Sequence, residues 1–274
     1  MLAGGIAGGV ETLFMQPLDL VKTRFMLAPK KYCGIAGAAR EIVRVEGVGA
    51  FYRGLPMPLL CALPWRAVKF TAYEQYRRLL GTGIGASLAA GALAGATESI
   101  VLTPFETVKI RMQADRMSGN AQFSSSWDAT KKIVRAGGVT GLFRGLFPTA
   151  VRQALFTTAY FLTYARVKDA LPATSPDNAA WKYEPMRHLT AGFAAGVVGT
   201  MCNTPADVIK TRIQNGSSSG FFRTLSAVVR ADGIMALYSG FVPKVLRLGP
   251  GSAIIFGVVE QVSAVMRTWN EQRR

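Results

Sequence analysis

An eight-residue pattern occurs three times in this chain, so any fold it adopts must place the pattern three times. It reads Pro17-Leu18-Asp19-Leu20-Val21-Lys22-Thr23-Arg24, then Pro104-Phe105-Glu106-Thr107-Val108-Lys109-Ile110-Arg111, then Pro205-Ala206-Asp207-Val208-Ile209-Lys210-Thr211-Arg212. Each copy has a proline, an acid two residues on, and bases five and seven residues on. Three copies at similar intervals mark an internal repeat, which must be settled before any other reading.

More of the sequence repeats in step. Glycines precede the motif prolines by thirteen and nine residues: Gly4 and Gly8, Gly91 and Gly95, Gly192 and Gly196. An aromatic-x-Gly follows each motif, as Tyr52-Arg53-Gly54, Phe143-Arg144-Gly145 and Tyr238-Ser239-Gly240. Glu46-Gly47 and Asp232-Gly233 precede the first and third of these, whereas the middle copy has Gly137-Gly138, without the acid. The units are placed at 1–81, 82–172 and 183–270, with a polar linker from Pro172 to Asn178 before the third. The chain opens at Met1 with Gly4 already inside the repeat. Its first long segment is therefore expected to lack a few residues that the other units have upstream.

Half of the residues are hydrophobic, yet Lys and Arg number 32 against 16 Asp and Glu. A basic soluble protein would suggest nucleic acid, but here the bases are interleaved with long apolar segments and no nucleic-acid reader motif occurs. Basic connections (Lys30, Lys31, Arg40, Arg44; Lys131, Lys132, Arg135; Arg223, Arg230) fit juxtamembrane charge beside anionic lipid. Three cysteines offer neither a disulfide framework nor a metal spacing. With His188 the single histidine and no nucleophile marked beside it, a catalytic triad is not indicated. The glycines sit at helical spacing rather than in a phosphate loop. The chain is read as a non-enzyme without metal or cofactor.

Spanning ~30 Å of hydrocarbon takes ~20 mostly apolar residues. Two such segments fit in each unit: 2–26 and 55–80, 84–113 and 146–170, 186–214 and 241–268. Amphipathic stretches at 35–46, 124–136 and 221–231 are predicted to lie along the membrane surface. The fold class is thus all-α membrane, six transmembrane helices in three pseudo-symmetric repeats. Each span carries charge on one face, as a helix lining a watery path must. The glycine pairs are read as close helix packing, and the motif prolines as bends.

The three motifs with their downstream aromatic-base-Gly resemble the mitochondrial carrier family over nearly the whole chain. The resemblance implies a multi-pass inner-membrane transporter, working as a monomer on a small anionic substrate, with bound cardiolipin at the aromatic-x-Gly turns. A plain turn before a helix is the compatible alternative there. It also implies ion pairs Asp19–Lys109, Glu106–Lys210 and Asp207–Lys22 closing the matrix side, each worth ~0–1 kcal/mol if exposed, and bracing glutamines at Gln113 and Gln214, with Met26 in the third place. A static ion-pair network is the other reading of the same residues. The opposite gate of the family reads aromatic-acid-x-x-base on the even helices. Tyr73-Glu74-x-x-Arg77 matches, Tyr164-Ala165-x-x-Lys168 lacks the acid, and Val259-Glu260-x-x-Ser263 lacks aromatic and base. Only Lys168–Glu260 would survive as a complete pair, which implies a thin cytosolic gate.

Family contact points lie on the even helices before these gate positions. Thirteen residues back from Glu74, Ala165 and Glu260 stand Cys61, Arg152 and Arg247. Arg presents a planar fork that matches a carboxylate in bidentate fashion, so two arginines at one depth suggest an anion with two carboxylates. No acid lies within a helical turn of either. Arg152-Gln153, Pro243-Lys244-x-x-Arg247-Leu248-Gly249-Pro250-Gly251 and Arg66-x-x-Lys69-Phe70 resemble the family's carriers of oxodicarboxylates. Arg66 and Lys69 are expected to add positive potential, Lys69 alternatively reaching to lipid headgroups. A departure is Ala62-Leu63-Pro64-Trp65, apolar where those carriers have an acid and a base, so recognition at Cys61 and Trp65 is steric or aromatic. The reading is an antiporter of small dicarboxylates, oxoglutarate and oxoadipate foremost. The alternatives are a tricarboxylate or succinate/fumarate carrier and, from another class, a basic nucleic-acid-binding protein.

Overall fold

The computed structural model describes residues 2–32, 34–81, 83–118, 122–171, 180–216, 220–251, 258 and 261, excluding the side chains of residues 2–7, 63, 66, 84, 116, 118 and 180–186. The linker from Pro172 to Asn178 and the gate positions Glu260 and Ser263 lie outside the described residues. Long helices are α1 (Leu2–Leu27), α3 (Pro56–Leu80), α4 (Ile84–Ala114), α6 (Leu146–Ala170) and α7 (Ala180–Gln214), with α9 described over 241–251. Short helices α2 (Gly34–Glu46), α5 (Ser126–Gly137) and α8 (Phe221–Asp232) follow the odd-numbered spans. The main difference from expectation is at α7, which begins at Ala180 rather than near 186. The motif prolines Pro17 and Pro104 sit inside α1 and α4.

The long helices with printed bounds run 25 to 35 residues. At ~1.5 Å per residue they exceed the hydrocarbon thickness. Among the described residues only Gly85–Ala114 is apolar enough by itself to cross a membrane, with mean hydropathy 1.3. The other long helices carry charge, and the motif acids and first bases among it turn inward. Helices α1, α4 and α7 touch one another pairwise, closing a three-membered ring, while α3 packs on α4 and α6 on both α4 and α7.

The surface helices are positioned by one apolar stripe each, at helical spacing. Ala38 and Ile42 of α2 bury against Leu20 and Val21 of α1. Ala129 and Ile133 of α5 bury against Val108 and Met112 of α4, and Val228 of α8 against Ile209 and Ile213 of α7. Every partner belongs to the last turns of a motif helix. A short 3₁₀ turn follows each surface helix, at Val48–Tyr52, Val139–Phe143 and Ile234–Tyr238.

The acids before the first and third of these turns have a defined role. Arg24 Nη2 meets both carboxylate oxygens of Glu46, at 2.7 and 2.9 Å. Arg212 meets Asp232 at 2.7 Å, and that hydrogen bond holds the Asp232 carboxyl below its usual range. In the middle unit, where the acid is missing, Arg111 Nε donates instead to the Gln214 carbonyl at 3.1 Å. Arg53 pairs there with Asp115 at 2.6 Å.

The aromatic-x-Gly turns weld each unit to the next. Gly54, Gly145 and Gly240 all have positive φ, at 80, 88 and 86°. A Cβ on Gly54 would meet the Lys109 carbonyl at 3.2 Å, and one on Gly240 the Lys22 carbonyl at 3.2 Å. On Gly145 it would meet Gln214 Cγ at 2.8 Å. Gly81 also has positive φ, 92°, but nothing lies within 4 Å of its Cβ position. A left-handed backbone costs an L side chain ~1–2 kcal/mol at either site. Gly240→Ala adds the clash and is expected to lower the melting temperature in detergent clearly more than Gly81→Ala; equal shifts would remove the welding role.

The glycine pairs serve helix packing. A Cβ on Gly91 would meet Thr157 Cγ2 at 2.7 Å and one on Gly95 would meet Gln153 Cβ at 3.0 Å, both on α6. On Gly196 it would meet Leu248 Cδ1 at 3.3 Å. Small residues let helices approach where lipid offers no hydrophobic drive.

Candidate functional site: a charged cavity closed by a ring of ion pairs

The motif acid and first base are three residues apart on one helix face, and the ring of α1, α4 and α7 turns those faces toward one another. Lys109 Nζ meets Asp19 Oδ2 at 2.7 Å, Lys210 Nζ meets Glu106 Oε2 at 2.5 Å, and Lys22 Nζ meets Asp207 Oδ2 at 2.7 Å. All three pairings join different units. These are not surface pairs: Asp207 and Lys210 side chains are 4 and 3 % exposed. The expectation of ~0–1 kcal/mol each therefore needs correcting, because buried pairs are expensive to break by removing one partner.

The glutamines also differ from expectation. Gln113 Oε1 accepts from Thr23 Oγ1 at 2.8 Å, tying α4 to α1 one turn past the Asp19–Lys109 pair. The Gln214 side chain makes no hydrogen bond and packs against Gly145. Met26, the third equivalent, receives the Thr211 hydroxyl on its sulfur at 3.5 Å. Gln113 thus joins neighbouring helices, Gln214 packs against the turn before α6, and neither is bonded to an ion pair.

Above the ring lies a cavity of about 540 Å³. Arg152 and Arg247 both line it, as do Gln153, Cys61 and Trp65. Cys61 is fully buried, whereas Trp65 is half-buried with Lys69 Nζ 5.7 Å from its ring centroid. Lys69 faces the cavity, not the headgroups. The Arg66 side chain lies outside the described residues.

The two arginines are not unpartnered. Arg247 Nη1 donates to Asp19 Oδ1 at 2.6 Å and Nη2 to Glu11 Oε1 at 3.0 Å. Arg152 Nε lies 3.7 Å from Asp207 Oδ1. Lys244 Nζ reaches Asp207 Oδ2 at 3.2 Å and donates to Asn203 Oδ1. So Asp19 holds two cations and Asp207 three, one of each set belonging to the ring and the rest to α6 and α9. No sequence neighbour could have indicated this, since Arg247 and its acids lie 228 and 236 residues apart.

Glu11, Glu98, Asn203 and Lys244 were missed as site residues. The available signal was a charged side chain within an apolar helix, which inside a membrane marks function by default. Glu98 Oε1 accepts from Gln153 Nε2 at 2.9 Å, and its Oε2 lies 3.4 Å from Lys69 Nζ. The cavity lining in total carries seven bases (Lys22, Lys69, Lys109, Arg152, Lys210, Lys244, Arg247) and five acids (Glu11, Asp19, Glu98, Glu106, Asp207), a surplus of two positive charges when all are ionised.

Of the other gate positions, Glu74 pairs with Arg78 at 3.5 Å on an exposed helix surface. Arg77 is exposed, and the Lys168 carbonyl accepts from Arg187 at 2.6 Å. Glu260, the partner expected for Lys168, lies outside the described residues. An aromatic ladder runs up this end, Phe156 stacked on Tyr160 and Tyr160 on Tyr164, with the Tyr164 hydroxyl against His188 Nδ1 at 2.5 Å.

Comparison with known proteins agrees with this architecture. The family profile described as mitochondrial carrier protein matches three times, at 1–83, 81–175 and 182–269. The probable mitochondrial 2-oxodicarboxylate carrier of Dictyostelium discoideum is 39 % identical over 97 % of this chain and 90 % of its own length. The mitochondrial citrate transporter D of Aspergillus niger is 40 % identical over 97 % of this chain and 93 % of its own. The mitochondrial 2-oxodicarboxylate carrier of Homo sapiens is 38 % identical over 95 % of this chain and 91 % of its own. A three-fold ion-pair ring beneath a charged cavity, carried by a profile that matches once per unit, identifies the chain as a member of the mitochondrial carrier family, a multi-pass transport protein of the mitochondrial inner membrane.

Proposed function

We propose that this protein exchanges small dicarboxylates, 2-oxoglutarate and 2-oxoadipate foremost, by alternating access around the cavity. The observation that carries this reading is the cavity's surplus of two positive charges with Arg152 and Arg247 on its wall. A dianion neutralises that surplus, and two guanidinium forks suit two carboxylates. Relatives named as 2-oxodicarboxylate carriers support the choice.

The same arginines supply the coupling between binding and opening. A ligand moves an equilibrium only by binding the two states differently. Arg247 ties α9 to Asp19 of α1, and Arg152 draws α6 to Asp207 of α7. Substrate carboxylates compete for both guanidiniums. Binding thus draws Arg247 away from Asp19 and Arg152 away from Asp207 and loosens that end of the bundle. The ring then opens to the matrix, and its pairs reform when substrate leaves. No chemical step is required, so the protein acts as a carrier and not as an enzyme, without metal or redox cofactor.

The remaining assignments are a monomer as the working unit and cardiolipin as bound lipid. The three aromatic-x-Gly turns support the second: each precedes a helix whose free N–H groups can face a lipid phosphate. A tricarboxylate reading is kept because a citrate transporter is equally similar.

The test is uptake of labelled 2-oxoglutarate into liposomes holding the purified protein and preloaded with a panel of acids. Uptake that requires internal oxoglutarate or oxoadipate is expected. Exchange of citrate or succinate without oxo-acid uptake would transfer the protein to the alternative.

A further inference from the structure

Of the five acids on the cavity wall, Glu98 alone belongs neither to the ring nor to an arginine pair. It lies on α4, and its side chain is 1 % exposed. Oε1 accepts from Gln153 of α6; Oε2 accepts no hydrogen bond and has Lys69 Nζ, on a half-exposed side chain, at 3.4 Å. The other titratable or charged groups acting on it are Arg152 on α6, Cys61 on α3 and Glu106 on its own helix. A buried carboxylate with one oxygen accepting no hydrogen bond, and its nearest cation on a half-exposed side chain, is an incomplete arrangement for a fixed charge. It is complete for a group that gains a proton during a transport cycle, since Oε2–H would then donate into the cavity while Oε1 keeps its bond to Gln153.

We propose that Glu98 takes up a proton together with the substrate and thereby sets which anion charge the cavity accepts. The proposal rests on the exchange reading above and deepens it. With Glu98 ionised the lining carries two surplus positive charges and suits a dianion. With Glu98 protonated it carries three and suits a trianion, a tricarboxylate. Protonation also releases Lys69, whose ammonium can then take the third carboxylate beside Trp65. The proton comes from the aqueous phase on the side where the trianion binds and leaves with it on the other. Exchange of an entering trianion for a leaving dianion therefore moves no net charge.

The experiment uses purified wild-type protein and Glu98→Gln in liposomes, with three readings. They are oxoglutarate/oxoglutarate exchange, citrate uptake against internal oxoglutarate from pH 6 to pH 8, and the response of the latter to a potassium diffusion potential set by valinomycin. Wild-type citrate uptake is expected to fall with rising pH and to ignore the potential. In Glu98→Gln the pH slope should flatten, the exchange should respond to the potential, and the ratio of citrate to oxoglutarate uptake should rise tenfold or more. Citrate binds its own third proton in this range, which affects both proteins alike. An unchanged slope and continued indifference to potential in the variant would mean that citrate carries the proton, and would overturn the proposal. So would an unchanged substrate ratio. Should Glu98→Gln fail to fold, the double variant Lys69→Gln/Glu98→Gln, which returns the surplus to two, is expected to favour oxoglutarate and to keep only the pH slope that citrate's own titration gives; a slope as steep as that of the wild type overturns the proposal. If wild type exchanges citrate with this slope but no oxoglutarate, the substrate reading falls while the role of Glu98 stands.

Discussion

Arg247→Ala is expected to abolish oxoglutarate uptake while leaving a folded protein. The guanidinium spans Asp19 and Glu11, and in the proposed function a substrate carboxylate competes with them for it. Truncating one partner of a hydrogen-bonded, desolvated charge pair costs ~2–5 kcal/mol, or roughly thirty- to several-thousand-fold in uptake. Folding survives because Asp19 keeps Lys109 at 2.7 Å. Arg247→Lys should fall between, since an ammonium keeps the charge but loses the planar fork. Arg152→Ala is expected to behave similarly through Asp207, which retains Lys22 and Lys244. The check is initial uptake in liposomes alongside a melting curve of the same preparation. Wild-type uptake by either alanine variant, with an unchanged melting temperature, would remove these arginines from the site.

The largest stability effect is expected at Glu46. Its carboxylate is the partner of Arg24, and the two side chains are 7 and 1 % exposed. Arg24 Nε has no hydrogen bond, so the guanidinium depends on Glu46 for its charge compensation. Glu46→Ala would leave a buried cation unpaired, at ~3–5 kcal/mol. For a chain of this size that is a fall of roughly 10 °C in melting temperature. The equivalent change in the third unit, Asp232→Ala, should cost less, because Arg212 and Asp232 are 19 and 20 % exposed and water can replace the lost partner. Replacing both partners, as Arg24→Met with Glu46→Leu, should recover most of the loss, since the burial cost disappears with the charges. Thermal unfolding in detergent decides it. A double variant no more stable than Glu46→Ala would show that the pair supplies something beyond charge compensation.

Much of the architecture was legible because it repeats. A proline, acid and two bases at fixed spacing, three times over, can be satisfied by three equivalent helices meeting at one axis. The surface helices were visible in short stripes such as Ala38 and Ile42, whose helical spacing requires one buried face. Legibility failed where the repeat is broken. Glu11 and Glu98 both stand six residues before their motif prolines, but the third unit has Gly199 there, so a reading keyed to features present in all three units passes over them. The start of α7 was misplaced because Trp181, Lys182, Tyr183 and Glu184 interrupt the apolar run, whereas a helix continues wherever its backbone bonds are satisfied.

The amino-acid sequence by itself determined the three-fold helical plan, the face each motif helix turns inward, and the residue types on that face, because spacing along a helix dictates direction. Only the tertiary structure decided which charges meet. Arg247 with Asp19 and Glu11, Arg152 with Asp207, and Gln153 with Glu98 are contacts between residues distant in sequence. Coulombic and hydrogen-bond energies depend on separation in space, which chain order alone does not supply. That difference turned two arginines with no acid nearby in sequence into contacts between the charged cavity and the ring of ion pairs.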